Sequence, residues 1–549
     1  MALAKDARFP FAPSDELHAD GRKRPPRVKP ATVDREEIAA RLRRVPVPAG
    51  RFRSLKTDGE RLYWLSVDDS SEPPKRKLMT VAIGRDKPQI KTLMEDVREF
   101  HVSADRKKVL VRKERDGESD LYVFDAGEKA PEKLDEAKVD LGRWTFSFDP
   151  REQWRQMFVE AWRLERDYFY DRGMHGVDWP KVRDKYMPLV DRVRSRDELN
   201  DLLAQMVSEL SALHIFVMRG EIRRGADDIE VASLGAELAK DAAAGGFRVT
   251  RIYTSDPDSP QTLSPLRRDG AGIEVGDVIQ SVNGVATLSV ADPAALLRNQ
   301  AGRQVLLHVT SKRGAARDVI VVPIRVQEAR SLRYDDWEYE RRHRVEEKGK
   351  GAIGYVHLRA MGGDDFAQWA RDYYPVFQRH GLIVDVRHNR GGNIDSWILG
   401  KLLRKPWFYW QDRARAPYWN MQYAFRGHVV VLVDQWTASD GEAFAEGIRR
   451  LGIGKVLGTR TWGGEIWLSS SNVLVDNGIA TAAENGVYGP DGQWLIEGKG
   501  VEPDIVVDNL PKATFDGRDE QLEAAIRYLQ ERIQAEPIKD VPPPPFPRK

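Results

Sequence analysis

The second half of the sequence alternates short apolar strands with helical segments, and this pattern constrains the fold more than any other feature. The predicted strands are continuous apolar runs at residues 354–358, 382–386, 429–433 and 455–459. Such runs are typical of parallel strands that are covered by helices on both faces of a sheet. We therefore predict an α/β core domain over residues 328–530, with a mostly buried sheet, followed by a Pro-rich tail at 531–549.

The chain needs more than one core, because a single hydrophobic core stops growing at about 250 to 300 residues and this sequence has 549. Residues 1–31 are polar and rich in Pro and Arg, which predicts a linker or tail. Residues 32–146 contain short strands at 61–67, 77–83, 99–102, 108–112 and 120–124, separated by turns such as Asp116-Gly117. This spacing predicts about two blades of a β-propeller. The fold class is therefore multidomain α/β with partial β-propeller blades.

Two helix starts mark a small helical domain over residues 147–230. Asp149 precedes Pro150 and is followed by Glu152, and Ser195 is followed by Glu198; both are N-terminal capping patterns. After the second start, apolar residues repeat in steps of three and four, at Leu199, Leu203, Met206, Leu210 and Leu213. This periodicity predicts that Leu213 packs in the helical core.

The composition excludes several kinds of function. Lys and Arg number 87 against 85 Asp and Glu, so the net charge favours neither nucleic acid nor an anionic membrane. The sequence has no cysteine, no His-Glu-x-x-His pair and no apolar stretch of the ~18 residues that a membrane span needs. We predict no metal, no cofactor, no nucleic-acid partner and no membrane insertion. The first residues lack an apolar signal segment, so the default compartment is the cytoplasm, or the periplasm if a longer precursor carries an export signal.

Residues 437–442, Thr-Ala-Ser-Asp-Gly-Glu, place Ser439 between an apolar strand and an amphipathic helix. A hydroxyl at a helix N-terminus can use backbone N–H groups and the helix dipole to stabilise an oxyanion, as a catalytic nucleophile requires. Ser is also a preferred N-cap residue, so the same pattern is typical of an ordinary helix start. The motif alone leaves both interpretations open.

Two further segments carry groups that such a nucleophile would need. Residues 385–392, Asp-Val-Arg-His-Asn-Arg-Gly-Gly, end an apolar strand, and the paired glycines allow backbone N–H groups to approach a ligand. A tight strand-to-helix turn would use the same glycines. Residues 494–504, Trp-Leu-Ile-Glu-Gly-Lys-Gly-Val-Glu-Pro-Asp, supply an acidic side chain, Glu497.

Residues 231–327 return to a pattern of strands. Gly-Asp-Val-Ile at 276–279 and Val-Asn-Gly at 282–284 resemble the signature of a PDZ domain, of the permuted kind found in bacterial and archaeal processing proteases. The resemblance implies that this domain captures an extended peptide by adding it as a strand to the edge of its sheet.

Taken in order, the C-terminal motifs resemble the tricorn protease family of the tail-specific protease superfamily, over about residues 32–530. The matching runs are Asn-Arg-Gly-Gly, Ala-Ser-Asp-Gly-Glu, Gly-Thr-Arg-Thr-Trp-Gly-Gly and Glu-Gly-Lys-Gly-Val-Glu-Pro-Asp. The resemblance implies a serine peptidase that hydrolyses short peptides or unfolded protein segments through an acyl-enzyme. It assigns Ser439 as nucleophile, His214 as general base, Glu497 as the assisting acid, and the N–H groups of Gly392 and Asp440 as the oxyanion hole.

The residue before the histidine departs from the archaeal pattern of this family, which has a Ser there. This chain has Leu213 instead, so the group that orients His214 is left open. Glu497 could reach the ring directly, through water, or through a neighbouring hydroxyl such as Ser211.

The position that sets substrate specificity in this family also differs from the family pattern. Family members that cut after basic residues carry an acidic side chain about eighteen residues beyond the oxyanion glycine, and that position is Trp410 here, with Asp412 close by. We therefore predict that the residue before the scissile bond, P1, is apolar or aromatic.

Two other functions fit part of the pattern. A Ser/Lys processing protease of the same superfamily would need a Lys where this sequence has Gly464, and Lys455 lies on the wrong side of its strand. A non-catalytic scaffold that binds peptides through its PDZ and propeller parts is the alternative from another class, and Leu213 is its only support.

The resembled family also implies partners. Its members have complete propellers and assemble into hexameric rings that take peptides left by larger proteases. This chain holds only the tail of such a propeller, so we expect a homo-oligomer in which a second chain or a missing N-terminal half completes the propeller.

Overall fold

The computed structural model describes residues 9–12, 42–70, 74–84, 88–115, 118–222, 225, 228–254, 256–257, 262–468 and 473–548. Most of the predicted tail at 1–31 and the predicted turn at Asp116-Gly117 lie outside these residues. The chain divides into two compact units, Met1–Phe148 and Asp149–Lys549. Within the described part of the chain, no helix combines the length and the apolar character that crossing a membrane would require.

The first unit is built from antiparallel strands. They are β1 (Phe52–Thr57), β2 (Arg61–Asp68), β3 (Lys75–Ala82), β4 (Lys91–Glu95), β5 (Val97–Val102), β6 (Lys108–Arg115) and β7 (Glu118–Asp125). They form two meanders, β1-β2-β3-β4 and β5-β6-β7, which share one apolar core. The sequence predicts five of these strands and misses β1 and β4. Every residue of β1 is exposed, so β1 lacks the alternation of apolar and polar residues that reveals a strand.

The second unit begins with three helices and a short strand: α1 (Pro150–Tyr168), α2 (Trp179–Val190), α3 (Arg196–Ser208) and β8 (Val217–Met218). The predicted helix starts are confirmed, since the Asp149 carboxylate accepts from the Arg151 N–H and the Ser195 hydroxyl from the Glu198 N–H. The Glu198 carboxylate accepts from the N–H of Arg194, one residue before the position expected for a reciprocal capping box.

The prediction that Leu213 packs in the helical core is wrong. Helix α3 ends at Ser208, and Ser211 then adopts a positive φ of 51°, which breaks the helical period before Leu213 is reached. The Leu213 side chain is 43% exposed. Leu210 is buried, so the apolar spacing describes the core only up to that residue.

The next part is an antiparallel sheet with the strand order β10-β11-β12-β14-β15. Its strands and the short flanking pair are β9 (Ala232–Ser233), β10 (Ala236–Asp241), β11 (Gly246–Ile252), β12 (Val278–Val282), β13 (Val285–Ala286), β14 (Val305–Thr310), β15 (Ala316–Val321) and β16 (Ile324–Arg325). Between β13 and β14, Pro293–Leu297 form a single 3₁₀ segment. Strand β10 lies at an edge of the sheet.

The last part is a parallel sheet with helices on both faces, as predicted. Its elements are α4 (Val326–Gly349), β17 (Ile353–His357), α5 (Gly363–Tyr373), β18 (Gly381–Asp385), α6 (Asp395–Leu402), β19 (Tyr409–Trp410), β20 (Tyr418–Trp419), β21 (His428–Val433), α7 (Asp440–Arg450), β22 (Lys455–Gly458), β23 (Ile479–Ala480), β24 (Ile505–Val506), α8 (Pro511–Phe515) and α9 (Glu520–Ala535). The sheet order is β17-β18-β21-β22-β24. Helices α5, α6 and α7 pack on one face, and α4 and α9 on the other.

A buried ion network fixes the backbone where β18 ends. The Arg387 guanidinium donates to Asp385 at 2.6 Å and to Asp519 at 2.8 Å, and Arg341 donates to Asp519 at 2.8 Å. Burial alone would raise the pKa of Asp385, but the charge of Arg387 outweighs it and holds that pKa below its usual range. The network therefore attaches the start of the glycine turn to α9.

The helical part contains a buried carboxyl group whose titration should affect stability. Glu165 on α1 is fully buried, and neither of its carboxyl oxygens has a hydrogen-bond partner among the described residues. Burial, followed by the charge of Glu484, raises its pKa from 4.5 to about 8. The unfolded chain loses this proton near pH 4.5, whereas the folded protein keeps it until about pH 8.

We expect the free energy of unfolding to fall as the pH rises from 5 to 8, by at most ~4 kcal/mol from this group. In Glu165→Gln the decrease should be smaller, while Glu347→Gln, at an exposed position on α4, should retain it. Urea titrations at pH 5, 6.5 and 8 measure the effect. Equal pH slopes in the protein and in Glu165→Gln would contradict it.

Candidate active site

Ser439 lies in the turn between β21 and α7, with a φ of 54° and a ψ of −129°. Its hydroxyl makes no capping hydrogen bond to the described residues of the helix. The side chain of Glu442 supplies the capping contact instead, because its carboxylate accepts from the Ser439 N–H at 3.1 Å. The hydroxyl is thus left available for chemistry, and the interpretation of Ser439 as an ordinary N-cap does not describe its side chain.

The glycine turn packs directly against this serine. A Cβ placed on Gly391 would lie 2.4 Å from the Ser439 Cβ, and one on Gly392 would lie 1.9 Å from the carbonyl oxygen of Met361. Asn389 fixes the turn, since its carbonyl oxygen accepts from the Ala438 N–H at 3.0 Å and its side chain accepts from the Gly391 N–H at 2.8 Å. Only glycine permits so close an approach of the two backbones.

Two N–H groups beside Ser439 have no hydrogen-bond partner among the described residues, those of Gly392 and Asp440. Asp440 is the first residue of α7, so its N–H is one of the donors that a helix leaves unpaired at its start. The helix dipole adds partial positive charge at the same place. The two donors are therefore available to an oxyanion next to Ser439.

His214 lies six residues beyond the end of α3, in the segment that leads to β8. Its Nδ1 is 2.5 Å from the carbonyl oxygen of Ile466, which can only accept, so Nδ1 carries the proton and Nε2 is the free acceptor. Burial lowers the pKa of His214, while the hydrogen bond to Ile466 and the charge of Glu497 partly oppose this. The ring therefore stays neutral at neutral pH, as a general base requires.

Glu497 holds the backbone on both sides of this histidine. One carboxylate oxygen accepts from the Leu213 N–H at 2.7 Å, and the other from the N–H groups of Glu465 and Ile466 at 2.8 and 3.2 Å. No hydrogen bond joins Glu497 to the His214 ring or to Ser211 in the described structure. Among the described contacts, Glu497 is connected to the imidazole through the backbone of Ile466, whose N–H donates to Glu497 and whose carbonyl accepts from the ring.

A short stretch connects the serine to the histidine, and we call residues 461–466 the bridge segment. Besides the Ser439 N–H, the Glu442 carboxylate accepts from the Thr461 hydroxyl and from the N–H groups of Gly463 and Gly464. Burial raises the pKa of Glu442, and these four donors oppose the rise.

The middle of the bridge segment contacts both sides of the site. The Trp462 N–H donates to the carbonyl oxygen of Thr437 at 3.0 Å, and its ring meets the edge of His214 with centroids 6.1 Å apart. The bridge segment thus joins the turn that carries Ser439 to the carbonyl that holds His214.

The residues predicted to set specificity lie in the β19–β20 hairpin. Trp410 is 51% exposed and stacks on Tyr418, with ring centroids 6.5 Å apart. The Asp412 carboxylate accepts from the N–H groups of Ala414 and Arg415, so it stabilises its own turn. In the described structure no hydrogen bond or ring contact links either residue to Ser439 or His214.

The structure also shows the surroundings of the two residues that bear on the alternative Ser/Lys mechanism, Gly464 and Lys455. Gly464, where that Lys would stand, donates its N–H to Glu442. Lys455 begins β22 and pairs with Asp504 at 3.3 Å, whereas the serine lies beyond the carboxyl end of the neighbouring parallel strand. The geometry therefore gives the Lys mechanism no support.

Sequence reasoning missed the structural roles of Glu442, Trp462 and Ile466. Glu442 had a local signal, because a Ser followed three residues later by Glu is a capping-box pattern. Trp462 and Ile466 had none, since their roles depend on contacts with residues far away in the sequence.

Three family models match separate parts of the chain: the tricorn protease C1 domain at residues 150–208, the tricorn protease PDZ domain at 232–326, and peptidase family S41 at 352–507. Tricorn protease homolog 1 of Streptomyces coelicolor is 35% identical, over 93% of this chain and 48% of the relative. A tricorn-like protease C-terminal subunit of Sulfurisphaera tokodaii is 34% identical, over 80% of this chain and 50% of the relative.

The fold is similar to the crystal structure of the tricorn protease, with a TM-score of 0.83 and 25% sequence identity, over 96% of this chain and 50% of that one. The chain thus spans about half the length of these relatives. Three matching family models, and similarity to tricorn proteases over more than nine-tenths of this chain, agree with the arrangement of serine, histidine and glycine turn, and the chain belongs to the tricorn protease family.

Proposed function

We propose that this protein is a serine peptidase that hydrolyses short peptides or unfolded protein segments through an acyl-enzyme at Ser439. One observation carries the proposal: the bridge segment holds Ser439 and His214 in one site, next to two N–H donors that lack partners in the described structure. Family membership and the neutral, oriented imidazole support it.

In the proposed reaction, the Nε2 of His214 removes the hydroxyl proton as the Oγ of Ser439 attacks the peptide carbonyl. The carbonyl oxygen becomes an oxyanion and is stabilised by the N–H groups of Gly392 and Asp440. His214 then donates its proton to the leaving amine, and the C–N bond breaks to give an ester on Ser439. Water hydrolyses this ester by the same steps, with His214 again as the base.

Glu497 acts in this scheme as a positioning residue. It binds the backbone N–H groups of Leu213 and Ile466 and so fixes the imidazole between its two hydrogen-bond partners. Its negative charge also stabilises the imidazolium that forms during catalysis, in agreement with its effect on the pKa of His214. This role is the one that the family resemblance gives to its acid, performed through the backbone.

Three parts of the proposal concern substrates and partners. The open edge of β10 supports capture of an extended peptide by the PDZ domain. The exposed ring of Trp410, with Asp412 in the same hairpin, supports contacts with an apolar residue at P1. The two meanders of the first unit are two propeller blades that a second chain or a longer N-terminal part completes, within a homo-oligomer, and the subunit description of the Sulfurisphaera relative supports a split arrangement.

Covalent labelling tests the proposed nucleophile. A fluorophosphonate probe should label the protein at Ser439, because the oxyanion hole and His214 activate this hydroxyl. Labelling should be lost in Ser439→Ala and retained in Ser208→Ala, whose serine lies at the end of α3. Gel fluorescence and peptide mapping report the modified residue. Labelling that persists in Ser439→Ala would remove Ser439 from the mechanism.

The positioning role of Glu497 predicts a particular kinetic defect. In Glu497→Gln, the NH₂ group of the new side chain replaces one carboxylate oxygen and cannot accept from the backbone N–H groups that this oxygen binds. The imidazole should therefore lose its fixed orientation. We expect kcat to fall about 10- to 100-fold with little change in KM, since misplacing a catalytic group affects mainly the chemical step.

Glu502→Gln, an exposed acid five residues further along the chain, is the matched control and should be unaffected. An unchanged kcat in Glu497→Gln, measured with the same peptide, would show that the carboxylate is not needed to position His214.

A further inference from the structure

Three acidic side chains meet beside Ser439, and we call Asp395, Asp440 and Glu465 the acid cluster. The Asp440 Oδ2 accepts from the N–H groups of Ile394 and Asp395 at 2.7 and 3.1 Å, which places this carboxyl group at the start of α6. The Asp395 carboxylate is close enough to interact electrostatically with that of Asp440. Glu465, in the bridge segment, is close enough to interact electrostatically with both.

The inner members of the acid cluster are buried and incompletely paired. Glu465 and Asp440 are 2% and 1% exposed. Within the described residues, the Oε2 of Glu465 and the Oδ1 of Asp440 have no hydrogen-bond partner. The charged groups that act on Glu465 are themselves acidic, namely Asp440, Glu442 and Asp395. Burying polar groups without partners is costly, so the arrangement lacks a positive group that would complete it.

The acid cluster holds protons while no cation is present. Burial raises the pKa of Glu465 to about 9, with further contributions from the neighbouring carboxylates. Burial and the charge of Asp395 raise the pKa of Asp440 to about 7. A cation that entered would favour the ionised forms and would therefore displace protons.

The position of the acid cluster relates it to one side of the scissile bond. Glu465 directly precedes Ile466, whose carbonyl orients His214. In the proposed reaction, His214 must face the leaving amine in order to protonate it. Because Glu465 shares the bridge segment with the carbonyl that holds His214, we assign the acid cluster to the side of the leaving group, where the residue that follows the scissile bond, P1′, is bound.

We propose that the acid cluster binds the cationic side chain of a Lys or Arg at P1′ of the substrate. This inference rests on the proposed peptidase function and deepens it. Asp395 is half-buried and is the most accessible of the three acids, so a side chain that approaches from solvent meets it first. Trp467, two residues beyond Glu465, is 43% exposed, so its ring can also attract the cation.

Two peptides that differ only at P1′ test the proposal. One carries Lys and the other norleucine, which has a similar length without the ammonium group. We expect kcat/KM to favour Lys by about 10-fold or more, as charge-assisted hydrogen bonds are strong. The preference should increase between pH 6 and pH 9, because ionised carboxyl groups bind the ammonium group better.

Substitutions locate the source of the preference. Glu465→Gln should reduce the Lys to norleucine ratio to about 1 to 2, whereas Glu531→Gln, an exposed acid on α9, should keep the ratio of the unmodified protein. Asp395→Asn, at the most accessible of the three acids, serves as a second variant if Glu465→Gln does not fold, and it should lower the ratio as well. Equal kcat/KM for the two peptides, or a ratio unaffected by both substitutions, would overturn the proposal.

Binding separates this proposal from the peptidase assignment. Fluorescence anisotropy with the Ser439→Ala protein should give tighter binding of the Lys peptide, and equal affinities would overturn the acid cluster as a cation site. If the fluorophosphonate labels Ser439 but no Lys preference is found at P1′, the acid-cluster proposal fails and the peptidase assignment stands. If labelling and turnover are both absent, the peptidase assignment fails, and the binding measurement still decides whether the acid cluster attracts the cation.

Discussion

Two carboxylates, the buried Glu442 and the half-buried Glu497, hold one short backbone segment between Ser439 and His214, and the geometry of the site depends on them. Glu442 binds three groups of residues 461–466 together with the N–H of Ser439, and Glu497 binds the other end of the same segment together with the N–H of Leu213. Burying a carboxylate such as that of Glu442 is costly, but its four hydrogen-bond donors offset the loss of solvation. The serine and the histidine come from parts of the chain more than 200 residues apart, and this segment is what they share.

The parallel sheet brings the remaining groups to the same place. Strands β18, β21 and β22 are in register, so their carboxyl ends meet at one edge, where α/β proteins bind their ligands. The glycine turn follows β18, the serine turn follows β21 and the bridge segment follows β22. The Arg387 network with Asp385 and Asp519 holds the first of these turns in position, so the oxyanion donors depend on packing at the far side of the sheet.

Much of this arrangement could be predicted from the sequence, because its signals are local. Apolar runs indicated the parallel strands, Asp149 and Ser195 marked helix starts, and the motif around Ser439 indicated a strand-to-helix turn. The periodicity that placed Leu213 in the helical core failed because a positive φ at Ser211 ends the helical pattern. The contact of Leu213 with Glu497 spans 284 residues, so no local pattern could indicate it. The acid cluster was missed for the same reason, since its members come from three separate segments.

A crystal structure with a peptide boronate tests the central claim most directly, because such a compound mimics the tetrahedral intermediate on a serine. The account predicts a bond from boron to the Oγ of Ser439 and a boronate oxygen within hydrogen-bond distance of the N–H groups of Gly392 and Asp440. It also predicts that the Nε2 of His214 faces the adduct while its Nδ1 remains on the Ile466 carbonyl. An adduct on another residue, or a His214 ring detached from Ile466 with Nε2 directed away from the serine, would contradict it.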